Sequence, residues 1–251
     1  MPFTRRQFAA LAGVSVLSIV AGRSLRARSS SVEQKGARIR ARPRANVRTS
    51  IEGSRSLGLD PVRDAVLQVP PDVSKPVPLL IALHGATQSG SWMHGVLSKY
   101  ADTAGVALLT PTSREMTWDG IHGSFDVDVA FIDRALERTY QLVSVDPARV
   151  VLGGFSDGAS YGLSLGLMNG DAFHKLVAFS PGFIVDGPAA GKPEIFISHG
   201  TADQILPIDQ CSRRIVPALR ARGYTVEYRE FDGPHTVPDT MAKEAFTWLA
   251  K

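Results

Sequence analysis

Five residues near the middle of the chain, Gly154-Phe155-Ser156-Asp157-Gly158, restrict its architecture more than any other feature. A mostly apolar run from Arg149 to Gly153 leads into them, and small residues dominate the stretch from Ala159 to Met168. That context reads as strand, sharp turn, helix. A serine at the apex of so tight a turn takes a strained backbone conformation, and glycines flank it because side chains there would collide. The Ser156 hydroxyl is then expected at the C-terminal end of a strand, with a helix N-terminus aimed at it.

A nucleophilic serine needs a base to take its proton, and the base needs a carboxylate to fix its tautomer. Both follow downstream. The apolar run from Ile195 to His199 ends in a loop that carries Asp203, and the run from Val226 to Phe231 ends in Asp232-Gly233-Pro234-His235. In a parallel sheet those strand ends share the edge where Ser156 lies. Asp232 rivals Asp203 as the acid, but it sits three residues from His235 in one tight loop. Asp203, on a separate strand end, is better placed behind the imidazole. Ser, Asp, His is also one of the recurring chain orders of such triads.

Negative charge that develops on an attacked carbonyl oxygen needs backbone N–H donors aimed at it in advance. Leu79 to Leu83 reads as a buried strand and runs into His84-Gly85-Ala86-Thr87. The expected donors are the amides of Ala86 and Asp157. His84 is expected to prop that turn and His199 to bond structurally.

Two periods alternate along the rest of the chain. Strands are expected at 66–69, 77–83, 106–110, 149–155, 175–179, 194–199 and 225–231, and helices near 91–104, 126–142, 157–169, 208–222 and 238–250. This is the pattern of an α/β protein, a mostly parallel sheet covered by helices on both faces. Between the strands ending at Phe179 and beginning at Glu194 only a short Gly/Pro-rich loop intervenes, too short for a large cap. Trp92, Met93, Trp118, Phe183, Ile205 and Leu206 are each expected on a loop at the catalytic edge, lining the acyl or alcohol pocket.

Taken together, the blocks His84-Gly85, Gly154 to Gly158, His199-Gly200-Thr201-Ala202-Asp203 and Gly233-Pro234-His235 resemble the phospholipase/carboxylesterase branch of the α/β-hydrolases. That branch borders on secreted esterases of the polyhydroxyalkanoate depolymerase and feruloyl esterase types. The resemblance runs from about Val77 to the C-terminus. It implies the α/β-hydrolase fold and serine carboxylesterase chemistry through an acyl-enzyme, with Ser156, Asp203 and His235 as the triad and no metal or organic cofactor. The oxyanion turn departs from the lipase type, lacking its extended glycine run. Two other readings stay open: a peptidase of the same fold, and a non-catalytic binding protein on a hydrolase scaffold.

Charge is unevenly spread. Of 28 Lys/Arg and 24 Asp/Glu, residues 1–60 hold 12 and 3, which leaves 16 against 21 in residues 61–251. The basic balance belongs to the leader, so a nucleic-acid partner for the catalytic domain loses its support. The partner expected is a small or oligomeric ester. Thr4-Arg5-Arg6-Gln7-Phe8 ahead of an apolar stretch to Gly22 resembles a bacterial twin-arginine export signal, which places the protein in the periplasm or outside the cell, any membrane contact being through this leader. Residues 23–60 are Arg- and Ser-rich and read as a flexible linker, with the catalytic domain at 61–251. The single cysteine, Cys211, excludes an intramolecular disulfide and is expected to be packed.

Overall fold

Continuously apolar strands such as Leu79 to Leu83 send successive side chains to opposite faces, so both faces must be covered. In the computed structural model, which describes residues 37–71 and 73–251, this is what happens. Leu79, Ile81 and Leu83 join one core cluster while Leu80 and Ala82 join the other.

The strands are β1 (Gly53–Ser56), β2 (Ala65–Val69), β3 (Val77–Leu83), β4 (Ala107–Pro111), β5 (Val145–Phe155), β6 (Lys175–Phe179), β7 (Glu194–Gly200) and β8 (Val226–Phe231). They form one sheet in the order β1-β2-β4-β3-β5-β6-β7-β8. β1 and β2 are antiparallel to their neighbours and the remaining pairs are parallel. The helices are α1 (Gly90–Ala104), α2 (Val127–Leu142), α3 (Asp157–Met168), α4 (Ser212–Ala221) and α5 (Asp239–Leu249), with a 3₁₀ turn at Asp119–His122. Apolar side chains of α2, α3 and α4 fill one core cluster, and those of α1 and α5 the other. The result is the α/β-hydrolase architecture expected, with only loop between Phe179 and Glu194.

Start and stop signals explain the helix bounds. Ser89 caps α1 by accepting from the Trp92 amide, and Gly105 ends it at φ 64. α4 starts at Ser212, later than its periodicity suggests, with Cys211 buried just ahead of it. β1 was not expected: all four of its residues are exposed, so it carries no apolar alternation.

The export signal expected over residues 1–22, and residues 23–36 of the expected linker, lie outside the described residues. From residue 37 onward the linker reading is corrected: the chain there is a packed strap. Ala37 and Ile39 are buried in the core, while Arg38, Arg40, Arg42 and Arg44 point outward. The fully buried Asn169 holds it, donating from Nδ2 to the Ala37 carbonyl at 2.7 Å and accepting the Ile39 amide at 2.9 Å. Asp133 on α2 accepts the amides of Arg40 and Ala41, both at 2.8 Å. Burial of the Ala37 and Ile39 side chains, with backbone groups of Ala37, Ile39, Arg40 and Ala41 paired to Asn169 and Asp133, outweighs an Arg-rich composition.

Candidate active site

β5 delivers Ser156 to the C-terminal edge of the sheet, and the backbone there turns at φ 58, ψ −120. Neighbouring backbone leaves no room beside it. A Cβ on Gly154 would lie 2.4 Å from the Gly158 carbonyl oxygen, and one on Gly158 would lie 2.4 Å from the carbonyl oxygens of both Leu83 and His84. The glycines are therefore demanded by close approach of β3, β5 and α3. The Ser156 amide is tied to the Phe179 carbonyl at 2.9 Å.

The loops after β7 and β8 are bonded to each other. The amides of Thr201 and Ala202 donate to the carbonyls of Phe231 and Gly233 at 2.8 and 3.0 Å. This brings Asp203 and His235 together: His235 Nδ1 lies 2.6 Å from Asp203 Oδ2, and His235 Nε2 lies 2.8 Å from Ser156 Oγ. The carboxylate only accepts, so it fixes the proton on Nδ1 and leaves Nε2 to receive from the serine hydroxyl. Asp203 is itself held by the amides of Ile205 and Leu206, which donate to Oδ1 at 2.9 and 2.8 Å. Asp203, rather than Asp232, faces the imidazole. His199 is fully buried, bonds Ser212 Oγ and the Leu206 carbonyl, and has its Nε2 3.1 Å from Asp203 Oδ2. Burial lowers its pKa.

The turn after β3 is set by His84. The Ser113 amide donates to its Nε2 at 3.0 Å, so the ring's proton is on Nδ1, which donates to the Gly85 carbonyl at 2.7 Å. Full burial keeps His84 neutral, its pKa lowered to about 4. The Gly85 carbonyl also accepts the Gln88 amide. Because C=O and N–H of a trans peptide point in opposite directions, this directs the Ala86 N–H away from His84. Neither the Ala86 nor the Asp157 amide has a partner among the described residues.

A second layer, missed from the sequence, holds this turn. Trp118 Nε1 donates to the His84 carbonyl at 2.8 Å, and Thr117 Oγ1 donates to the Asp157 carboxylate at 2.7 Å. Asp128 is almost fully buried and accepts the amides of Arg114 and Asp119, both at 2.7 Å; burial raises its pKa to about 6. On α3, Ser160 Oγ accepts the Gly182 amide and Ser164 Oγ the Val185 amide, both at 2.9 Å. The four-residue spacing of Ser156, Ser160 and Ser164 is the sequence signal that could have revealed that polar seam.

Two expected pocket residues are corrected. Met93 and Trp118 are fully buried; Met93 belongs to the core cluster on the α1 and α5 face, and Trp118 stacks on Tyr161 beneath the turn. Trp92, Phe183 and Ile205 are exposed and Leu206 partly so, all on the catalytic edge. A groove of about 780 Å³ lined by Thr49 to Glu52, Pro70, Val73 and Ser74 lies at the opposite end of the strands, and its lining has no histidine to activate a hydroxyl. Among the described residues no group of three or more His, Cys, Asp or Glu converges as a metal site requires.

The phospholipase/carboxylesterase family model matches residues 110–251. Feruloyl esterase C of Emericella nidulans is 29% identical over 160 residues, 59% of this chain and 57% of that protein. The putative esterase NocK of Nocardia uniformis is 31% identical over 147 residues, covering 54% of this chain and 42% of its own length. The chain thus spans about half the length of these curated relatives. The fluorophosphonate-binding serine hydrolase FphF of Staphylococcus aureus superposes with a TM-score of 0.64 at 17% identity, over 79% of this chain and 97% of that one, which speaks to fold alone. With the family model matched across β5, α3 and every strand end that carries Ser156, Asp203 and His235, the chain belongs to the phospholipase/carboxylesterase family of α/β-hydrolases.

Proposed function

We propose that the protein is a serine carboxylesterase. His235 Nε2 takes the Ser156 proton, and Oγ attacks the ester carbonyl carbon. The amides of Ala86 and Asp157 hold the resulting oxyanion. As the tetrahedral intermediate collapses, the C–O bond to the alcohol breaks and its electron pair goes to the leaving oxygen, which receives the proton from His235. Water then repeats the sequence on the acyl-enzyme and releases the acid. Asp203 keeps the imidazole in its working tautomer and stabilises its charged form.

The observation that carries this reading is the unbroken relay of 2.8 and 2.6 Å from Ser156 through His235 to Asp203. Support comes also from the two unpaired amides beside the serine and from the esterases among the relatives. With only the loop of residues 180–193 where a cap would insert, the substrates are esters that reach an open edge: short acyl esters, free or borne on an oligomer. The twin-arginine pattern at Arg5-Arg6 supports a site of action outside the cytoplasm. Initial rates on p-nitrophenyl esters from acetate to palmitate test the reading. Turnover is expected for short chains and is expected to vanish in His235→Ala; full activity in that variant contradicts it.

A further inference from the structure

Trp92 lies in the first turn of α1, and the helical period that buries Met93 sends its indole outward, 39% exposed. It does not stand alone. The indole stacks on Phe155 with centroids 5.8 Å apart, and Phe155 packs on the imidazole of His235 at 4.7 Å. Gly85 also approaches Phe155 closely, for a Cβ there would lie 3.4 Å from its Cδ1. Three rings therefore form a continuous bank from solvent to the base. Nothing in the proton relay requires an indole at its outer end.

We propose that Trp92, seated on Phe155, forms the subsite for the leaving alcohol and selects esters whose alcohol part presents a flat apolar face, an aryl ring or the C–H face of a sugar ring. The inference rests on the esterase reading. In that chemistry His235 Nε2 delivers its proton to the bridging oxygen of the ester as the C–O bond breaks, so that oxygen must lie within hydrogen-bond reach of Nε2. The alcohol skeleton attached to it starts beside His235 and extends over the Phe155–Trp92 bank. The acyl part has the opposite wall. Leu206 packs by Gly182, whose amide is bonded to Ser160 on α3, with Phe183 following Gly182 and Ile205 preceding Leu206 in the chain. Phe155 belongs to the core cluster of α1 and α5, whereas Ile184 and Val185, which follow Phe183, pack into the cluster of α3. The two apolar walls thus lie over opposite faces of the sheet, with Ser156 between them.

The test compares esters that give one common acetyl-enzyme: ethyl acetate, benzyl acetate and an acetylated methyl xyloside, hydrolysed by the full chain and followed by pH-stat. Ethyl and benzyl alcohol differ little in acidity, and taking each variant relative to the unaltered protein removes what difference remains. Trp92→Ala is expected to lower the benzyl-to-ethyl ratio of kcat/KM about three- to tenfold, the range of aromatic stacking, and Trp92→Phe to restore most of it. A parallel fall for the xyloside assigns the platform to sugar faces as well; a fall for the benzyl ester alone assigns it to aryl groups. Ethyl hexanoate against ethyl acetate reports the acyl side, and that ratio is expected to stay put. Equal losses on all esters, or a loss confined to the acyl ratio, overturns the proposal and makes Trp92 a prop for His235 or an acyl wall. Absence of Ser156-dependent turnover on every ester in the unaltered protein is a separate result, which overturns the esterase reading itself.

Discussion

The two ends of α3 are ordered by opposite means. Its N-terminus, at Ser156, is fixed by backbone packed against backbone: Gly154 and Gly158 leave no space for a Cβ beside β3 and the helix itself. Its C-terminus is fixed by residues about 130 positions away, where Arg38 donates to the Met168 carbonyl at 2.8 Å and Asn169 clasps the backbone of Ala37 and Ile39. The first end builds the candidate site and the second anchors the element that carries it. A motif read within five residues can reveal the one, and only the fold reveals the other.

Substitution separates the two ends. Gly158→Ala has the largest expected effect, since its methyl group would enter two backbone carbonyls at 2.4 Å. A loss of about 3 kcal/mol or more in urea unfolding, with ester turnover gone, is the expected outcome. Stability and rate within error of the unaltered protein would break the claim that contact, rather than habit of sequence, demands glycine. Asn169→Ala strips partners from buried groups of Ala37, Ile39 and Leu165, and about 2–4 kcal/mol should be lost. Here kcat/KM of the folded protein should hold, because nothing near Ser156 is disturbed. If kcat/KM falls in step with stability, the two ends are not separable.

Acidification sharpens the contrast further. His84 has a folded pKa of about 4 against 6.5 unfolded, so between those values the unfolded chain binds the proton that the folded one refuses. Stability contributed by neutral His84 is complete above pH 6.5 and falls by about 3 kcal/mol as pH drops to 4. Asp128 acts in the opposite sense: its folded carboxyl keeps a proton up to about 6, against 3.8 unfolded, so its share of stability rises as pH falls through that window. The two nearly cancel in the unaltered protein. Relative to the unaltered protein, His84→Gln should therefore lose less stability from pH 6 to pH 4 in urea melts, and Asp128→Asn should lose more. The same slope in both variants would refute the assignment. Smallest of all is Arg44→Ala on the strap, whose pair with Glu137 is exposed on both sides; its urea midpoint should not move measurably.

What the sequence made legible follows the same division. Seven of the strands, the five helices and the Ser, Asp, His order could be read because each rests on local periodicity or a tight turn. The strap could not, because its inward residues, Ala37, Ile39 and Ala41, are few and separated by arginines, and its anchors are Asp133 on α2 and Asn169 just after α3. Met93 and Trp118 were misplaced for a related reason. Proximity along the chain to the catalytic edge says nothing about facing: α1 turns Met93 inward, and the Trp118 indole N–H finds its partner in the His84 carbonyl. The polar supports around the candidate site, Thr117 and Asp128, depend on contacts 40 and 14 residues distant and left no periodic trace.

The central claim is that Ser156 is activated by His235 at this edge. Intact-mass analysis after brief exposure to a fluorophosphonate tests it most directly, with the unaltered protein, Ser156→Ala and His235→Ala treated side by side. One adduct on the unaltered protein, none on Ser156→Ala and strongly slowed labelling of His235→Ala is the result the geometry requires. Labelling of Ser156→Ala at the rate of the unaltered protein would contradict it, and would place the reactive hydroxyl elsewhere in the molecule.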